Sequence, residues 1–261
     1  MSILDQIEVP KRGAQIITIC GDAGTGKSSL AATFPKPVFI QAEKGVERIP
    51  AEIRPAALPQ VVGSHKDADG NFINNTFWDQ FKALIREEHD YKTLVIDSIS
   101  ALDRLFVSDI LLQDGKSNNL NSAMGGYGAG FSTLATKHQQ VRKAAEMLRQ
   151  KRGMSVVFIA HAEVDRVSPP DQDDYSRYSL RMTHSKSLPP YLDDVDLVGF
   201  LRQRTFVKGD EGERKRIISS DDRELVCHLT AANVSKNALG ITEPLEVKLG
   251  ENPLQEYLAK E

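Results

Sequence analysis

Apolar and polar residues alternate along the chain in two periods, and the switch between them outlines the elements. Residues 16–20 (IITIC) are a continuous apolar run of strand length, followed by a Gly-rich stretch and a short helical pattern from Lys27 to about Phe34 that Pro35 stops. VFIQ (38–41) predicts a second strand. Residues 44–75 are punctuated by Pro and Gly, and KDADGN (66–71) predicts a hairpin or loop tip. From Thr76, Phe77, Phe81, Leu84 and Ile85 recur at helical spacing. TLVID (93–97) predicts a third buried strand, residues 98–113 an apolar helix, and residues 114–130 an Asn- and Gly-rich loop ending in GGYGAG. Phe131, Leu134, His138, Val141, Ala145 and Leu148 make one stripe of a long helix running to about Lys151. SVVFIAH (155–161) predicts a fourth strand. Residues 162–192 are polar, with two Pro-Pro pairs, and predict a loop. Beyond them the pattern shortens to strands and turns, with GDEGE (209–213) as a hairpin tip.

The first ~160 residues thus alternate strand and helix, the mark of a parallel sheet with crossover helices. The remainder predicts an antiparallel extension over 193–261. A single α/β domain over residues 1–261 is expected, with residues 1–13 as a leader. Composition changes little in this picture. The net charge of −3 offers no global affinity for nucleic acid, so any such site is a local patch. The cysteines, Cys20 and Cys227, give no disulfide framework. That fits a reducing cytoplasm, and Cys20 reads as a small buried hydrophobe. The N-terminus lacks a signal-peptide pattern, and no apolar run approaches the roughly 18 residues of a membrane span, so no membrane partner is expected.

The chemistry begins at residues 21–29, GDAGTGKSS. Gly21, Gly26, Lys27 and Ser28 satisfy G-x-x-x-x-G-K-S between an apolar strand and a helix. Such a loop, Gly21, Asp22, Ala23, Gly24, Thr25, Gly26, Lys27, Ser28 and Ser29 here, turns its N–H groups toward phosphate oxygens. Lys27 is expected to reach the β- and γ-phosphates of ATP, and Ser28 to bind Mg²⁺. Asp97, ending a buried strand, is the second expected Mg²⁺ residue; otherwise it only caps the next helix. Ser98 follows it, whereas ABC and most AAA-plus ATPases place a catalytic Glu there. Glu43, beyond the second strand, can orient and deprotonate the attacking water, or be a solvated neighbour of Lys44.

Together, Gln41-Ala42-Glu43, an Asp97 without an adjacent acid, and a fourth strand ending at His161 resemble the RecA-like recombinase ATPases. Within that group the chain is most similar to phage single-strand annealing proteins with a minimal RecA core. The shared features are chain length, GGYG, FIAH-x-E, a Tyr-Arg-Tyr loop and the element KNALGI at 236–241. The resemblance implies a RecA-like P-loop NTPase core, Mg²⁺-dependent ATP hydrolysis and DNA stimulation. It implies Lys27 and Glu43 as catalytic residues and His161 as a γ-phosphate sensor, although Gln or Asn is usual there. Arg202 or Arg204 would complete a neighbour's ATP site, unless that hairpin is merely kept soluble by charge. The implied partners are single-stranded DNA, further copies of the chain in a ring or filament, and a single-strand-binding protein. DNA would meet two loops. Tyr127 lies in the first, and Tyr175, Arg177, Tyr178, Arg181 and Lys186 in the second, where aromatics stack on bases and cations neutralise phosphates. The cationic helix 137–152 is expected mainly as a solvated face. Two further readings remain: an accessory ATPase of phage replication or packaging, and a small-molecule phosphotransferase.

Overall fold

The computed structural model describes residues 13–208 and 216–258. Residues 1–12 of the expected leader and the expected GDEGE tip lie outside the described residues. The elements in chain order are β1 (Ile16–Gly21), α1 (Lys27–Ala31), β2 (Pro37–Gln41), β3 (Ala56–Ala57), β4 (His65–Lys66), β5 (Phe72–Ile73), α2 (Phe77–Arg86), β6 (Thr93–Asp97), α3 (Ile99–Asp114) and α4 (Ala129–Arg152). They continue with β7 (Ser155–Val167), β8 (Tyr175–Leu180), α5 (Pro189–Leu192), β9 (Leu197–Lys208), β10 (Arg216–Val226), β11 (Lys236–Asn237) and β12 (Leu245–Val247).

One sheet runs β12-β10-β9-β1-β7-β6-β2-β3, and its strands from β9 to β3 are parallel. Parallel strands need helical or chain cover on both faces, and so read as unbroken apolar runs. β1 is buried at every position. Ile16 and Cys20 face a cluster built with α2, α3 and α4, while Ile17 and Ile19 face α1 and the C-terminal residues Leu239, Ile241 and Leu254. The α2 stripe buries Phe77, Phe81 and Leu84, and the α4 stripe buries Leu134, His138, Val141, Ala145 and Leu148. KDADGN forms the β4–β5 turn, where Asp67 accepts from the N–H groups of Asp69 and Asn71.

Three differences from the sequence pattern have physical causes. α1 stops at Ala31, where Thr33 and Phe34 close tighter turns on the carbonyls of Leu30 and Ala31 ahead of Pro35. β7 does not end at His161 but continues to Val167, pairing antiparallel with β8, so residues 162–167 and 175–180 of the expected loop 162–192 form a β-ribbon. Its alternation is hidden by charge, because its residues Glu163 to Arg166 are exposed outside the core. β9 pairs parallel with β1, so it belongs to the parallel core and the antiparallel extension begins at β10.

Candidate nucleotide site

Register delivers the chemistry to one edge. Gly21 lies opposite His161, and Asp97 lies opposite both Gln41 and Ile159. The phosphate loop, the end of β6, the turn after β2 and the middle of β7 therefore meet at the carboxyl ends of the parallel strands, where open α/β sheets hold ligands. They enclose a cleft of about 340 Å³ lined by loop residues together with Glu43, Asp97 and His161.

Within the loop, Gly24 and Gly26 take φ of 80° and 92°, a region that side chains avoid. Lys27 is 5% exposed. Its Nζ donates to the carbonyls of Gly21 and Asp22 at 2.9 and 2.7 Å. Burial lowers the affinity of Lys27 for its proton, against the pull of Cys20, Asp97 and Glu43. The Ser28 hydroxyl donates to Asp97 Oδ2 at 2.6 Å. Burial pushes the Asp97 carboxyl up, against that hydrogen bond. A hydroxyl and a carboxylate in contact at a phosphate loop are the hard oxygen donors that Mg²⁺ takes beside phosphate oxygens and waters, so these residues fit that ion.

Glu43 meets His161 across the cleft, with His161 Nε2 donating to Glu43 Oε1 at 2.8 Å. The Arg104 guanidinium lies 3.8 Å from Oε2. Burial works against the carboxylate, but the hydrogen bonds from His161 and Ser98 and the nearby charges outweigh it, holding Glu43 down at about 2. The His161 main chain is pinned as well: its N–H donates to Ser100 Oγ, and its carbonyl accepts from Arg181 N–H. Arg104 and Ser100 had no sequence signal, since their roles come from α3 packing beside β7.

The other expected residues divide. Arg202 and Arg204 both pair with Glu224, at 2.8 and 3.3 Å, on the sheet next to the loop. Tyr178 lies at the inner end of the ribbon. Its ring stacks on Phe200 with centroids 4.9 Å apart, and its backbone bonds residues Ala232 and Val234. Tyr175 and Arg177 lie farther out on β8. Arg181 is exposed and donates to the Ala162 carbonyl. Lys186 is exposed in the turn 185–187, whose neighbour His184 packs on Phe131 at 4.6 Å. Tyr127, fully exposed, belongs to a run with positive φ from Met124 to Gly128. Through Phe131 and His184 the structure brings the two expected loops side by side, while the ribbon tip stands apart. Two of the cations of α4 are held within the fold: Arg142 and Arg149 hold Glu146, and Arg149 also holds Asp196.

One residue without a sequence signal stands directly on the loop. Arg223 of β10 donates from Nη1 to the Thr25 carbonyl at 3.4 Å and covers Gly26.

Comparison with known proteins agrees with this architecture. A protein from Bacillus subtilis (strain 168), described as an SPbeta prophage-derived uncharacterized protein YorG, is 23% identical over 217 residues. The match takes in 82% of this chain and 58% of that protein, so the chain spans little more than half of the relative's length. Among the described residues no helix is long and apolar enough to cross a membrane. A family model described as an AAA domain matches residues 14–228, from the strand before the phosphate loop through β10. The mostly parallel sheet with its Gly-rich loop after β1 is thus the α/β fold of an AAA-type P-loop ATPase domain, and the chain belongs to the AAA domain family.

Proposed function

We propose that this chain hydrolyses ATP with Glu43 as the water-orienting carboxylate, and that the nucleotide state sets its grip on single-stranded DNA. The observation that carries the proposal is continuity. β7 holds His161 against Glu43 in the cleft and then runs on into the ribbon, whose returning strand leads to the 181–187 segment beside the Gly-rich loop. A change at the nucleotide therefore has a stiff path to the candidate DNA surface.

In the proposed reaction, loop N–H groups and Lys27 hold the polyphosphate, and Ser28 and Asp97 hold Mg²⁺. The ion supplies charge neutralisation at the β- and γ-phosphate oxygens. Glu43 aligns a water on the γ-phosphorus and accepts its proton as the bond to the ADP oxygen breaks, leaving ADP and phosphate. A carboxyl held at about 2 is a weak base, so orientation is its first contribution. Turning His161 Nε2 from Glu43 to the γ-phosphate would strengthen that base and report the nucleotide at the same moment.

On the DNA side, Tyr127 offers an exposed ring on a glycine-rich loop, and Arg181 and Lys186 offer exposed cations. The ribbon tip carries exposed Asp171, Asp173 and Asp174 and would repel phosphates, so the proposed contact lies at the ribbon's base. Annealing or recombination, assembly with further copies of the chain and a single-strand-binding partner extend the same proposal. They draw on the resemblance and on the prophage-derived relative. Arg202 or Arg204 would have to leave Glu224 to reach a neighbour.

The test is binding of a fluorescent single strand across a salt series, with ATP turnover measured in parallel. Stimulated turnover and an affinity that falls with salt and with Tyr127→Ala are expected. Steady turnover with no salt-sensitive binding would overturn the DNA half and leave an accessory ATPase.

A further inference from the structure

Arg223 sits in a position that nothing in the expected mechanism uses. It belongs to β10, paired with Gln203 of β9 and Val247 of β12, on the sheet face shared with α1. The β9–β10 register shifts between Ser219 and Arg223, and an interruption of the ladder there re-aims the side chain that follows it. The guanidinium ends on the phosphate loop. A Cβ built at Gly26 would lie 2.2 Å from Arg223 Nη1, so the guanidinium lies directly over this glycine, whose φ of 92° already disfavours a side chain. Two neighbouring arginines, Arg202 and Arg204, share the carboxylate of Glu224. Among the described residues the Arg223 side chain forms no ion pair, and its one side-chain hydrogen bond there, to Thr25, is long at 3.4 Å. A guanidinium has five donors in a planar fork suited to phosphate. Here it is only partly exposed and rests on the Gly-rich loop.

We propose that Arg223 is a nucleotide-binding residue acting within its own chain, with its fork on the α- and β-phosphates of a nucleoside di- or triphosphate. This rests on the reading of the loop as an ATP site. The sheet order gives the polarity. β6 and β2, which carry Asp97 and lead to Glu43, lie on one flank of β1, and β9 and β10 lie on the other. The γ end belongs with Glu43, Asp97 and His161, so a cation arriving from β10 meets the inner phosphates. Arg223 thereby brings positive charge to the loop side of Gly26, which lines the cleft that also holds the carboxylates of Glu43 and Asp97.

The experiment titrates a fluorescent ADP and a fluorescent non-hydrolysable ATP analogue, each with Mg²⁺, into the full chain and its Arg223→Ala, Arg223→Lys and Lys27→Ala variants. A lost charge-assisted contact to phosphate weakens binding by about tenfold or more. Arg223→Ala should weaken ADP and the ATP analogue alike by that factor. Arg223→Lys should recover part of it, because lysine keeps the charge and loses the fork. Should Arg223→Ala fail to show a native melting transition, Arg223→Lys and Arg223→Gln carry the comparison, Gln keeping much of the stem without the charge. Unchanged affinity in a folded Arg223→Ala or Arg223→Gln, or a loss confined to the ATP analogue, overturns the assignment while Lys27→Ala still abolishes binding. If the unmodified chain binds neither nucleotide, the ATP-site reading fails first and the Arg223 proposal falls with it.

Discussion

Replacing Glu43 with glutamine separates chemistry from binding and from folding. The amide oxygen can still accept from His161 Nε2, now 2.8 Å from the carboxylate, so the cleft keeps its shape. What disappears is the proton acceptor. Positioned general bases contribute about 10²–10⁴ in rate, or roughly 3–5 kcal/mol at 1.36 kcal/mol per decade. Because the Glu43 carboxyl is held at about 2, it is a weak base, and the lower part of that range, about 10²–10³, is expected. ATP affinity should hold or tighten, since one of two neighbouring carboxylates loses its charge beside the phosphates. The stability cost is bounded by the same ionisation. The fall from 4.5 to about 2 corresponds to about 3 kcal/mol at most, and with the side chain 30% exposed, screening reduces this to about 1 kcal/mol. The sign follows from the depressed value: this contribution is present above pH 4.5 and is lost as pH falls through about 2. Phosphate release under saturating ATP, nucleotide titration and a thermal melt give the three readings. Turnover within threefold of the original would move the catalytic carboxylate elsewhere. A loss of turnover matched by a loss of ATP binding would make Glu43 a binding residue instead.

Two further substitutions test the supports of the site. Asp103, buried in α3, accepts from His138 Nε2 at 2.9 Å and from Thr183, while the other His138 nitrogen meets the Tyr191 hydroxyl at 2.8 Å. Asp103→Ala strands these groups in the core and should cost about 3–5 kcal/mol in chemical denaturation; a loss below about 1 kcal/mol would show the network to be dispensable. Gly130 opens α4 beneath the Gly-rich loop, and an added Cβ would lie 2.3 Å from the Leu120 carbonyl oxygen. Helix propensity alone predicts that Gly130→Ala stabilises by about 1 kcal/mol. The backbone clash predicts a loss of about 1–3 kcal/mol instead, and a raised melting temperature would refute the close approach.

The long-range logic of these substitutions explains what was legible beforehand. Helices α2 and α4 followed from their apolar spacing, since a helix buries one stripe whatever it packs against. Strands β1, β2 and β6 followed from short runs that can be apolar throughout only if both sheet faces are covered. The outer half of β7 was not legible, because a ribbon outside the core carries charge on positions that a core strand would make apolar.

By itself the sequence determined the phosphate loop, the Asp97 and Glu43 strand ends and the alternation that makes a parallel sheet, because glycine torsions, strand burial and the loop's residue types are local properties. Only the tertiary structure decided that β7 stands between β1 and β6, that His161 therefore meets Glu43, that Glu224 occupies Arg202 and Arg204, and that Arg223 covers Gly26. Residues 43 and 161, like residues 26 and 223, lie far apart along the chain. Their contact is fixed by strand order, register and one register shift, and no local preference of either residue encodes it.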